Sequence, residues 1–268
     1  MDIRLTNIHD EDGIQVFSFD GAQLDASALL EPIATLSTDA PPTGADAVIY
    51  SNTPAYKWGR TAFSVGGLFC KAFWTGRHLD RGQPLDGIGR LLANHIRCTD
   101  IGLPVPSLLG AFAREVDGLW LWNGVITEHL SGWRTLDAKS DADMALLSQA
   151  EEAFTAKGLV NFDLSPSNVM TDGDGAYKVV DLDYVVNLPT TCTRYELVEA
   201  IRRIDPALLE TLRTAYSQSA DLQFFWNSVQ ELDRNNSDFA RLAQTVGATD
   251  SQLDAIFIAI AKVRGGAS

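Results

Sequence analysis

Within the stretch 158–183, GLVNFDLSPSNVMTDGDGAYKVVDLD, three side chains have types and spacings that could do chemistry. Asp163 is separated from Asn168 by four residues, and Asp181 follows a short apolar run, Tyr177 to Val180. These are metal- or proton-handling groups placed at the ends of two short predicted strands joined by a tight turn. Such an arrangement suits phosphoryl transfer, where the protein's part is mainly positioning and charge neutralisation. The plainer alternative is a pair of β-turns, because Asp, Asn, Ser and Gly are what turns require. That alternative is accepted for Asp172, Gly173, Asp174 and Gly175. For Asp163, Asn168 and Asp181 the three spacings together favour a site.

Composition bounds what such a site could serve. The chain has 268 residues, 46% of them hydrophobic, enough for one large domain or two modest ones with a buried core. Its 35 acids and 21 bases leave a net charge of −14, which disfavours a nucleic-acid backbone or an anionic membrane surface as partner. The beginning, MDIRLTNIHDEDG, lacks the apolar segment of a secretory signal, and no apolar run approaches the ~20 residues needed to span a bilayer. Cys70, Cys98 and Cys192 are isolated, with neither a disulfide nor a zinc spacing. The expectation is a soluble cytoplasmic protein with reduced thiols, no nucleic-acid partner and no integral membrane association.

The elements that must position the site can be read from periodicity. Residues 1–44 form a mixed prelude of unclear role: a strand over 14–19, a turn at Asp20-Gly21, a short helix over 26–36 and a proline-rich linker over 39–44. Three strands follow at 47–50, 61–65 and 68–74, the last two joined by a Gly66-Gly67 turn. Alternation puts Phe69, Lys71 and Phe73 on one face, so Lys71 is a charge in apolar surroundings and calls for an anionic partner. The alternative is a lysine snorkelling at a strand edge. A helix over 84–101 carries Ile88, Leu91, Leu92, His95 and Ile96 as one stripe, with His95 at the edge of the core. Leu108–Val116 and Leu119–Thr127 read as a hairpin around Asp117-Gly118, and 141–157 as a helix closed by Gly158. Beyond Asp183 the chain is helical over 196–204, 206–217 and 251–263. The bulky cluster Phe224-Phe225-Trp226 is read as core, a view its exposure would change.

The ordered stretches GRTAFSVGGLFCKAF, IGLPVPSLLGAF, VITEHLSGWRTL, NFDLSPSNVM and VVDLDYV span residues 59–185. As a set they resemble the protein-kinase-like superfamily. The nearest pattern is that of the lipopolysaccharide (Kdo and heptose) kinases, and a more distant one is that of the aminoglycoside phosphotransferases. The resemblance implies an α+β, bilobal fold: an N-terminal lobe over 1–127, with an antiparallel sheet and one helix, and a mostly helical C-terminal lobe over 128–268. It implies ATP and Mg²⁺ as cofactors. Lys71 would contact the nucleotide phosphates, with Lys57 and Arg60, from a loop that is not GxGxxG, as further phosphate contacts; surface bases in a turn are the commoner alternative for these two. The backbone of Glu128, His129 and Leu130 would bind adenine, Asp163 would be the catalytic base, and Asn168 and Asp181 would hold Mg²⁺.

Three departures qualify it. The bracing histidine of the catalytic loop is replaced in Asn161-Phe162-Asp163. The helix over 84–101 has no Glu to pair with Lys71, and Asp86 is only a displaced substitute. Position 165 is Ser where protein kinases carry Lys, which points away from an ordinary protein kinase. The expected function is transfer of the ATP γ-phosphate to a hydroxyl of a sugar, glycoconjugate or other small molecule, the acidic balance leaning toward a soluble or cationic acceptor. A peptide or protein acceptor is one alternative. The other is a pseudokinase that binds nucleotide and regulates a partner.

Overall fold

The alternating apolar runs assemble into one antiparallel sheet in the computed structural model, which describes residues 4–37, 39–44, 46–53, 59–74 and 84–265. In chain order the elements are β1 (Leu5–Glu11), β2 (Ile14–Phe19), α1 (Ser27–Ala34), β3 (Val48–Thr53), β4 (Arg60–Val65), β5 (Leu68–Trp74), α2 (Gly89–Asp100), β6 (Leu108–Val116), β7 (Leu119–Glu128), β8 (Arg134–Thr135) and α3 (Asp141–Ala156). There follow β9 (Leu159–Asn161), β10 (Val169–Thr171), β11 (Tyr177–Val179), β12 (Val185–Asn187), β13 (Thr191–Thr193), α4 (Arg194–Ile204), α5 (Pro206–Gln218), α6 (Ala220–Ser228), β14 (Glu231–Asp233), α7 (Ser237–Val246) and α8 (Asp250–Gly265). Short 3-10 turns precede α2 (Asp86–Ile88) and β10 (Pro166–Asn168). The chain divides into two compact units, one of residues 1–150 with 163–183, the other of 151–162 with 184–268.

The first unit is built on a seven-stranded sheet in the order β1-β2-β6-β7-β5-β4-β3. The tight turns between β1 and β2, β4 and β5, and β6 and β7 meet the right-handed twist with positive φ at both central residues, as at Gly66 (56°) and Gly67 (78°) between β4 and β5. The prelude therefore has a structural part. β1 and β2 extend the sheet beside β6, and Leu29 and Ile33 of α1 pack on a core with Phe63, Cys70, Ala72, Phe112, Trp122 and Ile126. The register sets Ala62, Lys71, Val125 and Ala111 opposite one another across four strands, so they share the other face. The predicted stripe Ile88, Leu91, Leu92, His95 and Ile96 is buried, Ile88 from the 3-10 turn and the rest from α2. A smaller sheet, β11-β10-β8, completes the unit and carries the residues on either side of the turn at 172–176.

The second unit is mostly helical. Its core gathers Leu197, Ile201, Leu209, Leu212, Phe239 and Phe257 from α4, α5, α7 and α8. Helix starts are capped in sequence-legible ways: Thr193 and Glu196 form a reciprocal capping box on α4, and Asp205 caps α5 with Pro206 at the first turn. Phe224 is 78% exposed, while Phe225 and Trp226 pack against the core. A single exposed aromatic is ordinary surface, so the cluster remains core with one member outside it. No helix among the described residues is long and apolar enough to cross a membrane.

Candidate functional site

Lys71 reaches the site because strand alternation turns it away from the Cys70 and Ala72 side of β5, whose side chains are fully buried. On its own face the neighbours opposite it are Ala62 and Val125, too short to block its four-carbon stem. Its Nζ donates to Asp181 Oδ2 at 3.0 Å and to Asp183 Oδ2 at 3.1 Å. These partners lie 110 and 112 residues away in sequence, so the two stretches singled out for chemistry meet. The anionic partner that Lys71 required is supplied by the segment just past β11. The ammonium also lies 5.3 Å from the ring centroid of Phe73, which Arg60 flanks at 5.4 Å.

The loop that holds Asp163 and Asn168 is closed by its own polar groups. Asn168 Nδ2 donates to the Asp163 carbonyl at 2.8 Å and to Asp163 Oδ2 at 3.0 Å. The Asn168 carbonyl in turn accepts the Val180 N–H at 3.0 Å, which sets the loop beside the residue preceding Asp181. With its amide nitrogen committed to Asp163, Asn168 has its side-chain oxygen to offer a cation. Asp181 Oδ1 accepts the Asp183 N–H at 3.2 Å, which fixes that carboxylate's rotation. An amide oxygen and a carboxylate are hard donors and fit Mg²⁺. Among the described residues no three His, Cys, Asp or Glu side chains form a metal cage. Mg²⁺ needs none, because it keeps several waters and shares substrate phosphate oxygens with one or two protein ligands.

The other candidates are placed as follows. Arg60 opens β4 and pairs with Asp183 Oδ2 at 3.3 Å, beside Lys71. Lys57 lies outside the described residues, as does the Asp86 side chain. Glu128 accepts from the Ser107 N–H at 2.7 Å and pairs with Lys178, so its side chain is a strut joining β7 to β11. The N–H of Glu128 goes to the Ser107 carbonyl at 3.0 Å and that of His129 to the Gly67 carbonyl at 3.1 Å. His129 Nε2 is 2.8 Å from the Tyr50 hydroxyl, and the Leu130 carbonyl accepts the Trp133 N–H at 3.2 Å. Much of the polarity of residues 128–130 is thus used within the unit.

Three residues outside the sequence-predicted set belong to the constellation. Asp183 is one. The two-residue step from Asp181 along an extended chain, which returns a side chain to the same side, was the available signal. Asn94 of α2 is the second; its Nδ2 donates to the Leu182 carbonyl at 2.7 Å, between the two aspartates. His95 is the third, buried with no hydrogen-bond partner for Nδ1. Burial first, then the Lys71 charge, push its pKa down to about 4, against the opposing pull of Asp181. It is a neutral core histidine near the charges.

Neither a comparison with protein families nor a search of curated proteins returns a match. Solved structures similar to the chain include kinases. The bifunctional kinase-methyltransferase WbdD is 18% identical at a TM-score of 0.36, over 70% of this chain and 47% of that one. WaaP, solved in complex with acyl carrier protein, is 14% identical at 0.36, over 82% of this chain and 87% of that one. A Toxoplasma gondii rhoptry antigen kinase domain is 12% identical at 0.35, over 82% of each chain. The chain spans about half the length of the WbdD chain. TM-scores this low describe loose superpositions.

Proposed function

We propose that the chain is an ATP- and Mg²⁺-dependent phosphotransferase that moves the γ-phosphoryl group to an alcohol of a sugar, glycoconjugate or other small molecule. The observation that carries this reading is the convergence of Lys71 with Asp181, next to the loop closed by Asp163 and Asn168. In this reading Lys71 turns its ammonium to the phosphates of the nucleotide. Asn168 and Asp181 hold the cation, which when bound neutralises charge on the transferring group. Asp163 orients the acceptor hydroxyl and takes its proton, with Asn168 fixing the carboxylate through the 3.0 Å hydrogen bond. The net charge of −14 favours a neutral or cationic acceptor over an anionic one.

The test is a thermal melt with ATP, with and without Mg²⁺, on wild type and Asp181→Ala. Stabilisation by ATP that requires Mg²⁺ and vanishes in the variant supports the reading. No shift in wild type removes the nucleotide site. A second reading, a pseudokinase that binds nucleotide without transfer, has one observation in its favour: the only acid in α2, Asp100, pairs with Arg4 and not with Lys71. Nucleotide binding without transfer to water or to any acceptor in a sugar and peptide screen would favour it.

A further inference from the structure

We propose that Asp183 is the positioning carboxylate of Lys71, supplying from the segment that follows β11 the counter-charge that α2 does not. The inference rests on the nucleotide site proposed above. Lys71 has two carboxylate partners, and they are not equivalent. Asp181 is the candidate cation ligand, and a bound cation repels the ammonium it shares that carboxylate with. Asp183 is the more deeply buried: its side chain is 8% exposed against 17% for Asp181. One of its oxygens pairs with both cations of the cluster, accepting from Lys71 at 3.1 Å and lying 3.3 Å from the Arg60 guanidinium. Its other oxygen, Oδ1, is buried with no hydrogen-bond partner, so the carboxylate is held there by the two cations and not by a hydrogen-bond cage.

The backbone around Asp183 is fixed as well. Its N–H is bonded to Asp181 Oδ1 at 3.2 Å, and the Leu182 carbonyl between the two aspartates is pinned at 2.7 Å by Asn94 of α2. Helix α2 thus acts on Lys71 at one remove, through a neutral amide that anchors the aspartate pair. Its single acid, Asp100, lies at the far end and pairs with Arg4 at 2.8 Å. The two cations and two carboxylates sum to zero charge, which makes their partial burial tolerable. When Asp181 serves the cation, Asp183 still holds Lys71 at the end of its stem.

The experiment is calorimetric titration of Mg·ATP into wild type, Asp183→Asn, Lys71→Met and the double variant, with apo melts to establish folding. Asp183→Asn is expected to weaken binding by at least about fivefold, and the double variant to bind no more weakly than Lys71→Met alone. A purely structural role for Asp183 would not produce that coupling. Wild-type affinity in Asp183→Asn, or losses that multiply in the double variant, overturns the inference while leaving the nucleotide site standing. Absence of Mg·ATP binding by wild type overturns the site reading and this inference with it. If Asp183→Asn does not fold, Asp183→Ser replaces it beside Asp183→Glu. The charge-keeping variant is then expected to retain most of the affinity, and equal losses in the two overturn the inference.

Discussion

Lys71 shows why a residue's role depends on what its neighbours are too small to do. Val125 and Ala62 leave the stem of Lys71 free to extend, and the charge finds Asp181 and Asp183 at its tip. Asp163 is placed differently, by a local loop in which Asn168 donates to both its backbone and its side chain. Its expected role is therefore separable from nucleotide binding. Asp163→Ala should leave the melting temperature and Mg·ATP affinity near wild type and lower the transfer rate by roughly 10²–10⁴-fold, the usual contribution of a positioned base. The check is a steady-state transfer assay beside a binding titration. Unchanged transfer would remove Asp163 from the chemistry.

At the scale of elements, β7 carries a constraint that hydrophobic patterning does not show. A Cβ added at Gly124 would lie 2.5 Å from the Phe112 ring and 2.6 Å from the Lys71 carbonyl oxygen. The close approach lets Phe112 fill the core and keeps β5 against β7 at Lys71. Gly124→Ala should destabilise the protein by about 1–3 kcal/mol as the ring is forced aside, measured by denaturant unfolding. It should also weaken Mg·ATP binding, because the strand that carries Lys71 must shift. An unchanged unfolding midpoint would mean that the ring gives way without cost. Helix α7, with Phe239, Leu242 and Ala243 buried at i, i+3 and i+4, is an element that sequence reading passed over. Asn236 caps its start, accepting from the Asp238 N–H at 2.7 Å.

For the whole molecule, the charge balance gives a pH dependence that can be worked out in sign. In the helical unit the Arg264 guanidinium, bonded to Glu196 through two nitrogens at 2.8 Å each, holds that carboxyl down to about 2 from its ordinary 4.5. In the sheet unit Asp143 is held down to about 2 from 3.8 by Arg134 and by the Asp137 N–H. A carboxyl with a depressed folded pKa contributes stability that is present above its unfolded value and lost as pH falls through the folded one. Stability should therefore fall from about pH 4.5 to about pH 2. Arg264→Gln should flatten part of that slope and cost on the order of 1 kcal/mol at neutral pH, since Arg264 is half-exposed and screened. Denaturant unfolding at several pH values checks this. A variant with the wild-type slope would mean that Glu196 is not held by Arg264.

Local signals were enough for most of the elements, because helices and hairpins are specified by neighbours a few residues apart. Gly66-Gly67 set a turn whose residues have positive φ, and the stripe through Leu91, Leu92, His95 and Ile96 is buried in α2. The spacing of Asp163, Asn168 and Asp181 is likewise a local feature, since one loop and the segment just past β11 carry all three. Tertiary structure alone decided what Lys71 meets. The pairing of β5 with β7, far apart in sequence, sets its height, and Asn94 anchors the segment that brings Asp183 beneath it. It also decided that the N–H groups of Glu128 and His129 are spent on Ser107 and Gly67. No sequence window contains those partners. A hydrogen bond is short-ranged in space but indifferent to separation along the chain, so only the packed fold determines which groups it joins.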